Sequence, residues 1–186
     1  MKLKKIKRMV AVGTAILMTL SLAGCGIGSD SVKLGAAGVG GGYYAFSNAF
    51  AQIASSEDED LDFEVKATAG STANIRLLSD GYVDMAIAQA DLVDAAYNGT
   101  GATDKKRYRG YSAVASLYTE ACQIVVRSDS GIDSLDDLQG KKISVGEEES
   151  GTQRNAEQIL KMTGLVESLV DTVNLDYVDA ANELKS

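Results

Sequence analysis

Short apolar runs alternate along the chain with stretches whose apolar residues recur every three or four positions. The short runs predict β-strands at 33–37, 63–67, 83–88, 111–117, 121–127, 142–145 and 173–178. The wider spacings predict helices between them, and the clearest helix carries Phe46, Phe50 and Ile53 on one face. Strands that alternate with helices in this way predict an α/β protein with largely parallel sheets.

Residues that cap helices precede several of the predicted helical segments. We expect Ser71 or Thr72 to cap the second helix, since both are good N-cap residues. Ser134 is expected to cap a short helix at 135–138, and Asp179 to cap the last one. That last helix has fewer than two turns before residue 186, so the pattern indicates a chain cut within a domain.

The N-terminal segment has the order of a secretory signal peptide: a basic head, an apolar middle and a small-residue cleavage site. Its apolar run, 9–23, is short for a membrane span, which needs about 20 apolar residues, although a single transmembrane anchor is the alternative. Leu22-Ala23-Gly24-Cys25 resembles a bacterial lipobox. We therefore expect removal of residues 1–24, acylation of Cys25 with chains such as palmitate, and a tether at 25–31. The protein would then be extracytoplasmic and lipid-anchored, in the periplasm or on the outer surface.

The charge balance and the residue types argue against several classes of function. The formal charge is −8, and removal of the five basic residues in 1–24 leaves 13 basic against 26 acidic residues, or −13. Such a surface disfavours nucleic acid, whose binding depends on Lys and Arg against phosphates. The chain has no histidine, the commonest general base and metal ligand. Neither acidic run, 57–60 or 129–137, has the spacing of a calcium loop. We expect no enzyme activity, no cofactor and no metal.

The chain has two cysteines, Cys25 and Cys122. If Cys25 is acylated, Cys122 has no partner for an intrachain disulfide. Cys122 lies in an apolar run, so we expect it to be a small buried residue. A reactive thiol is the less favoured alternative, because the chain has no histidine to activate it.

Three predicted loops follow strands and open helices: Gly38–Tyr44, Gly70–Asn74 and Gly146–Thr152. A helix start presents unpaired N–H groups and a positive dipole end, which suits anions. The loops lie at the carboxyl ends of strands, where ligands bind in open α/β sheets. The first loop is not a dinucleotide fingerprint, because Tyr43 stands where the third glycine is required. Each loop alone is compatible with ordinary turn and capping chemistry, but three together favour a ligand cleft.

A series of motifs resembles the TAXI family of TRAP-transporter solute-binding proteins in both order and spacing. The similarity extends over about residues 32–186. The motifs are GGGYY at 40–44, GSTANIRLL at 70–78, DMAIAQAD at 84–91, ASLYTE at 115–120, LDDLQGKK at 135–142, Gly146 and SGT at 150–152. The resemblance implies a two-lobed α/β fold of the periplasmic-binding-protein-like type II class. Lobe one would span 32–118, and the hinge with part of lobe two would span 119–186.

The resemblance also implies a function. Members of the family close their lobes around a small carboxylate or amino-acid-like solute, glutamate among them, and deliver it to the TRAP permease subunits in the membrane. The ligand-binding residues that it implies here come from four loops. They are Gly41, Tyr43, Tyr44, Ser71, Thr72, Asn74, Gln89, Ser150, Gly151 and Thr152.

Two departures from the family leave alternatives open. Family members continue past this length, so a truncated, non-transporting lipoprotein is an alternative. A secreted α/β hydrolase is a more distant one, since it would need an unusual pair such as a serine with Lys141 or Lys142. Glu147–Glu149 stand where relatives carry small or neutral residues, and they would repel an acidic ligand unless they point to solvent. The solute is therefore expected to be less acidic, zwitterionic or helped by a cation.

Overall fold

The computed structural model describes residues 31–101, 105–166 and 168–186. The predicted signal peptide at 1–24 and the predicted acylation site, Cys25, lie outside the described residues. None of the helices in the described ranges is both long and apolar enough to cross a bilayer.

The first sheet has three parallel strands in the order β2-β1-β3. β1 (Val32–Gly35) is central, with β2 (Phe63–Lys66) and β3 (Met85–Ala86) on either side of it. A helix follows each strand: α1 (Gly42–Glu57), α2 (Ser71–Ser79) and α3 (Ala90–Asn98). Helices that connect parallel strands place every strand's carboxyl end at one edge of the sheet.

The second sheet repeats this arrangement with two parallel strands, β4 (Lys142–Ser144) and β5 (Asp171–Val173). α4 (Gly151–Thr163) connects them, α5 (Tyr177–Lys185) follows β5, and a 3-10 helix at Leu135–Leu138 precedes β4. The apolar core beneath this sheet consists of Leu138, Val145, Leu160, Leu165 and Val170. The predicted α/β class with parallel sheets is confirmed.

Two of the predicted strands are wrong. Residues 111–117 and 121–127 form no ladder with any described part of the chain, and every residue from 112 to 129 is exposed. Val114 is 84% exposed and Val125 is 68% exposed. An alternating apolar pattern becomes a strand only where a neighbouring strand supplies backbone partners and a packing surface. Cys122 lies in this segment, and it is exposed rather than buried.

Several predicted boundaries are also corrected. Neither Ser71 nor Thr72 caps α2, because Gly70 occupies the N-cap with φ of 123°. α5 begins after Asp176 rather than Asp179, since the Asp176 carboxylate accepts a hydrogen bond from the Asp179 N–H at 2.7 Å. This helix has nine residues, and β5 at Asp171–Val173 ends where the predicted strand begins.

The side chain of Asn74 forms hydrogen bonds that connect the loops at the carboxyl edge of the first sheet. It is fully buried, and its amide nitrogen donates to the carbonyls of Gly35 at 3.3 Å, Ala36 at 2.5 Å and Ile87 at 2.8 Å. Its amide oxygen accepts from the Thr68 hydroxyl at 2.7 Å. One side chain on α2 thus holds the chain where it leaves β1, β2 and β3.

We predict that Asn74→Ala lowers the free energy of unfolding by about 2–4 kcal/mol, because it leaves several buried polar groups unpaired. Urea unfolding followed by circular dichroism measures the change. Asn98→Ala is the matched control, since Asn98 bonds only the Asp94 carboxylate on the exposed side of α3. Equal losses for the two variants would contradict this connecting role for Asn74.

Candidate functional site

A cavity of about 420 Å³ lies where the loops that follow all five strands meet. The first sheet contributes residues 37, 38 and 41–43 after β1, 69–71 after β2 and Gln89 after β3. The second sheet contributes residues from 146–152 after β4 and 175–177 after β5. The exposed segment at 118–123 forms a further wall. The cavity therefore occupies the position at which ligands bind in open α/β sheets.

The N-cap residues of all five α-helices in the described ranges line this cavity. They are Gly41, Gly70, Gln89, Ser150 and Asp176. The first N–H groups of a helix have no partner within the helix, and the helix start carries partial positive charge. Five helix starts direct a positive dipole field at one cavity without a basic side chain, and the N–H groups that the protein leaves unpaired there are available as donors.

The two sheets contact each other beside the cavity through Glu149. Its carbonyl oxygen accepts from the N–H groups of Thr72 at 3.1 Å and Ala73 at 3.2 Å, at the start of α2. Its carboxylate pairs with the Arg76 guanidinium at 2.6 Å. The first turn of α2 is consequently satisfied by protein, and α1 and α4 are the better placed helix starts for a solute.

Glu149 adopts a left-handed backbone conformation, with φ of 62°. This conformation costs a residue other than glycine roughly 1–2 kcal/mol. The Gln153 side-chain oxygen accepts from the Glu149 N–H at 2.9 Å and helps to hold it. Ser150 then caps α4, since its hydroxyl accepts from the Gln153 N–H at 2.9 Å and is buried. The turn at Glu149 thus places the start of α4 at the cavity.

Three tyrosines form much of the aromatic surface of the cavity. The Thr152 and Tyr177 hydroxyls hydrogen-bond at 2.8 Å. The Tyr118 ring packs on Phe46 of α1, with 6.4 Å between the ring centroids. Burial, followed by the neighbouring Glu120 carboxylate, raises the pKa of Tyr43 well above its usual value. Tyr43 is therefore a neutral hydroxyl at physiological pH.

The charged residues of the cavity wall are Glu120, Glu147 and Asp176. Among the described residues that line the cavity, none is Lys or Arg. The Glu147 carboxylate lies against Gly38. Burial, followed by the charge of Asp176, raises the pKa of Glu147. The side chains thus make one part of the cavity negative, while the helix starts make another part positive.

Seven of the ten residues predicted to bind ligand line the cavity: Gly41, Tyr43, Ser71, Gln89, Ser150, Gly151 and Thr152. The other three lie outside its lining. The Tyr44 carbonyl accepts from the Asn48 amide, the Thr72 N–H binds Glu149, and Asn74 is committed to backbone carbonyls. Whether the lining residues contact a solute stays a prediction.

The prediction of site residues missed every charged or aromatic residue of the lining other than Tyr43: Tyr118, Glu120, Glu147, Asp176 and Tyr177. Asp176 and Tyr177 were not among the predicted site residues, because the last strand was predicted at 173–178. That prediction placed both residues in the strand and not in the loop that follows β5. Tyr118 and Glu120 stand on either side of the predicted boundary between the lobes and were not counted as site residues, although an aromatic residue and a carboxylate close together are a usable signal for a cation site.

Two parallel α/β sheets with a cavity at their helix starts are typical of periplasmic-binding-protein-like proteins. Residues 34–186 match the model of the NMT1-like family. The match covers most of the chain, and the chain belongs to this family, which is one of solute-binding proteins.

The raised pKa of Glu147 predicts how pH changes stability. The folded protein holds this proton more tightly than the unfolded chain, so Glu147 contributes less to the free energy of unfolding as pH rises through its folded pKa. We expect Glu147→Gln to melt at the parent temperature or higher at pH 7, with the advantage absent below about pH 4.

Thermal melts across this pH range test the expectation, with Glu148→Gln as the control in an exposed neighbour. A Glu147→Gln variant that is less stable than the parent at pH 7 and equal to it at pH 4 would show a favourable charged contact for Glu147. That result would contradict the assignment.

Proposed function

We propose that the protein is the extracytoplasmic, lipid-anchored receptor of a TRAP-type importer of the TAXI kind. In this role it captures a small carboxylate or amino-acid-like solute, such as glutamate, and delivers it to the membrane permease subunits. The observation that carries the proposal is the convergence of five helix starts on one cavity between two parallel sheets.

The size and chemistry of the cavity support capture of a small solute. Its volume of about 420 Å³ falls within the range of about 300–1,000 Å³ that small-molecule sites occupy. Backbone N–H groups at the starts of α1 and α4 are suitable donors to a carboxylate. The Ser71 and Thr152 hydroxyls in the lining add side-chain groups that can fix its orientation.

The solute-binding part of the proposal predicts stabilisation by ligand without turnover. A receptor gains about 2.7 kcal/mol of stability at a hundredfold excess of solute over the dissociation constant. We expect at least one small monocarboxylate or amino acid in a panel to raise the melting temperature and to be recovered unchanged. Isothermal titration then gives the dissociation constant, and a panel with no binder would contradict the proposal.

Gly151→Ala is the sharpest variant for this test. A Cβ at Gly151 would overlap the Gln89 side-chain oxygen and lie 2.9 Å from the Ser71 hydroxyl. We expect it to displace these groups at the cavity and to weaken binding at least about tenfold. Lys161→Ala, at the exposed far end of α4, is the control. Parent-like affinity in the Gly151→Ala variant would remove the start of α4 from the site.

The anchoring part of the proposal rests on the sequence pattern that ends at Cys25. We expect cells fed a clickable palmitate analogue to label the full-length protein, and Cys25→Ser to abolish the label. Cys122→Ser is the matched control and should label like the parent. Labelling that survives Cys25→Ser, or is absent from the parent, would contradict a lipid anchor at this position.

A further inference from the structure

We infer that the cavity selects a solute bearing a protonated amine and a single carboxylate, with Glu120 as the residue that binds the ammonium group. The inference deepens the proposed function and rests on it. Among the solutes of the proposed function, it favours amino acids with one carboxylate over glutamate, whose second carboxylate would meet the acidic wall of the cavity.

The side chains of the cavity wall that carry a charge are all acidic. They are Glu120, Glu147 and Asp176. Asp176 is occupied in capping α5. Glu147 lies against Gly38, where burial and Asp176 disfavour its charged form. Glu120 is exposed at the edge of the cavity, so its carboxylate is the one best placed to meet an incoming cation.

Glu120 lines the cavity together with two tyrosines, Tyr43 and Tyr118. After burial, the Glu120 carboxylate is a further cause of the raised pKa of both Tyr43 and Tyr118. A carboxylate beside aromatic rings is the usual arrangement for binding an organic ammonium group, which is attracted to the ring faces as well as to the anion.

The same wall contains a hydrogen-bond acceptor without a donor. The side-chain oxygen of Gln89 is buried and accepts no hydrogen bond from any residue in the described ranges. Its neighbours are Gly151 and the Ser71 hydroxyl, and that hydroxyl accepts from the Gln89 N–H at 3.1 Å. A buried acceptor without a donor is costly. A turn of the Gln89 side chain toward the cavity would let a solute N–H donor remove this cost, whereas a second carboxylate brings no donor.

The positive and negative parts of the cavity together define the solute. The starts of α1 and α4 at Gly41 and Ser150 suit one carboxylate. Glu120, with Gln89 and the tyrosines, suits one ammonium. A dicarboxylate without an amine would place its second anion against the acidic wall. Amino acids with an uncharged side chain fit this pattern better than succinate-like acids.

Matched pairs of probes test the inference: alanine with propionate, leucine with 4-methylpentanoate, and glutamate with glutarate. Affinities are measured by isothermal titration with the full-length protein at pH 7. We expect an amino acid to bind at least about tenfold more tightly than its deaminated partner, because a charge-assisted hydrogen bond is at stake. We also expect alanine and leucine, whose side chains are uncharged, to bind more tightly than glutarate.

Glu120→Gln assigns the effect to one residue. We expect it to weaken the amino acid that binds best by about tenfold and its deaminated partner by less than about threefold, so that the preference within the pair is lost. Glu148→Gln, exposed in the nearby loop and outside the cavity lining, should leave both affinities unchanged. Circular dichroism confirms that each variant is folded.

The outcomes separate the inference from the proposed function. Deaminated acids or glutarate binding as tightly as the amino acids would overturn the inference and leave a carboxylate receptor standing. An unaltered preference in Glu120→Gln would remove Glu120 from the ammonium site. Binding of neither member of any pair would overturn the proposed function, and the inference with it.

Discussion

One buried amide holds the edge of the first sheet on which the site is built. The Asn74 side chain bonds the carbonyls of Gly35, Ala36 and Ile87, so that the backbone turns away from β1 and β3 at fixed positions. Thr68 binds the amide from the other side and brings in the loop after β2. The positions of the helix starts in this sheet depend on the positions at which the backbone leaves β1, β2 and β3. A site made of backbone N–H groups depends on such positioning more than one made of long side chains.

Contacts of a second kind join the two sheets. The Glu149 carbonyl accepts hydrogen bonds from the start of α2, and its carboxylate pairs with Arg76. Its backbone conformation is unfavourable for glutamate. The Arg76–Glu149 pair is about 40% exposed on each side, so the ion pair itself contributes little stability. The Arg76–Glu149 contact matters for geometry, because it lies where Ser150 and Gly151 pack against Gly70, Ser71 and Gln89.

Local sequence patterns were sufficient to predict the helices, whose hydrogen bonds and end signals lie within a few neighbouring residues. Glycines that allow helix ends, as at Gly99 and Gly164, and the apolar spacing of α1 are signals carried by a few neighbouring residues. The strands predicted at 111–117 and 121–127 failed because a strand needs a partner that its own sequence does not specify. The motifs also indicated the helix starts of the site. They did not indicate that Asn74 would turn inward to carbonyls 38 and 39 residues away, nor that Glu147 and Asp176 would share one wall. Those are long-range contacts.

Small solutes are expected to bind at the helix starts that converge on the cavity. Nuclear magnetic resonance of the ¹⁵N-labelled protein, titrated with the tightest-binding amino acid, tests it at each backbone amide. We predict that the largest shifts are those of Gly41, Gly42, Gly151 and Thr152, with saturation at one equivalent. Shifts confined to the outer faces of the helices, or to the exposed 111–127 segment, would contradict it.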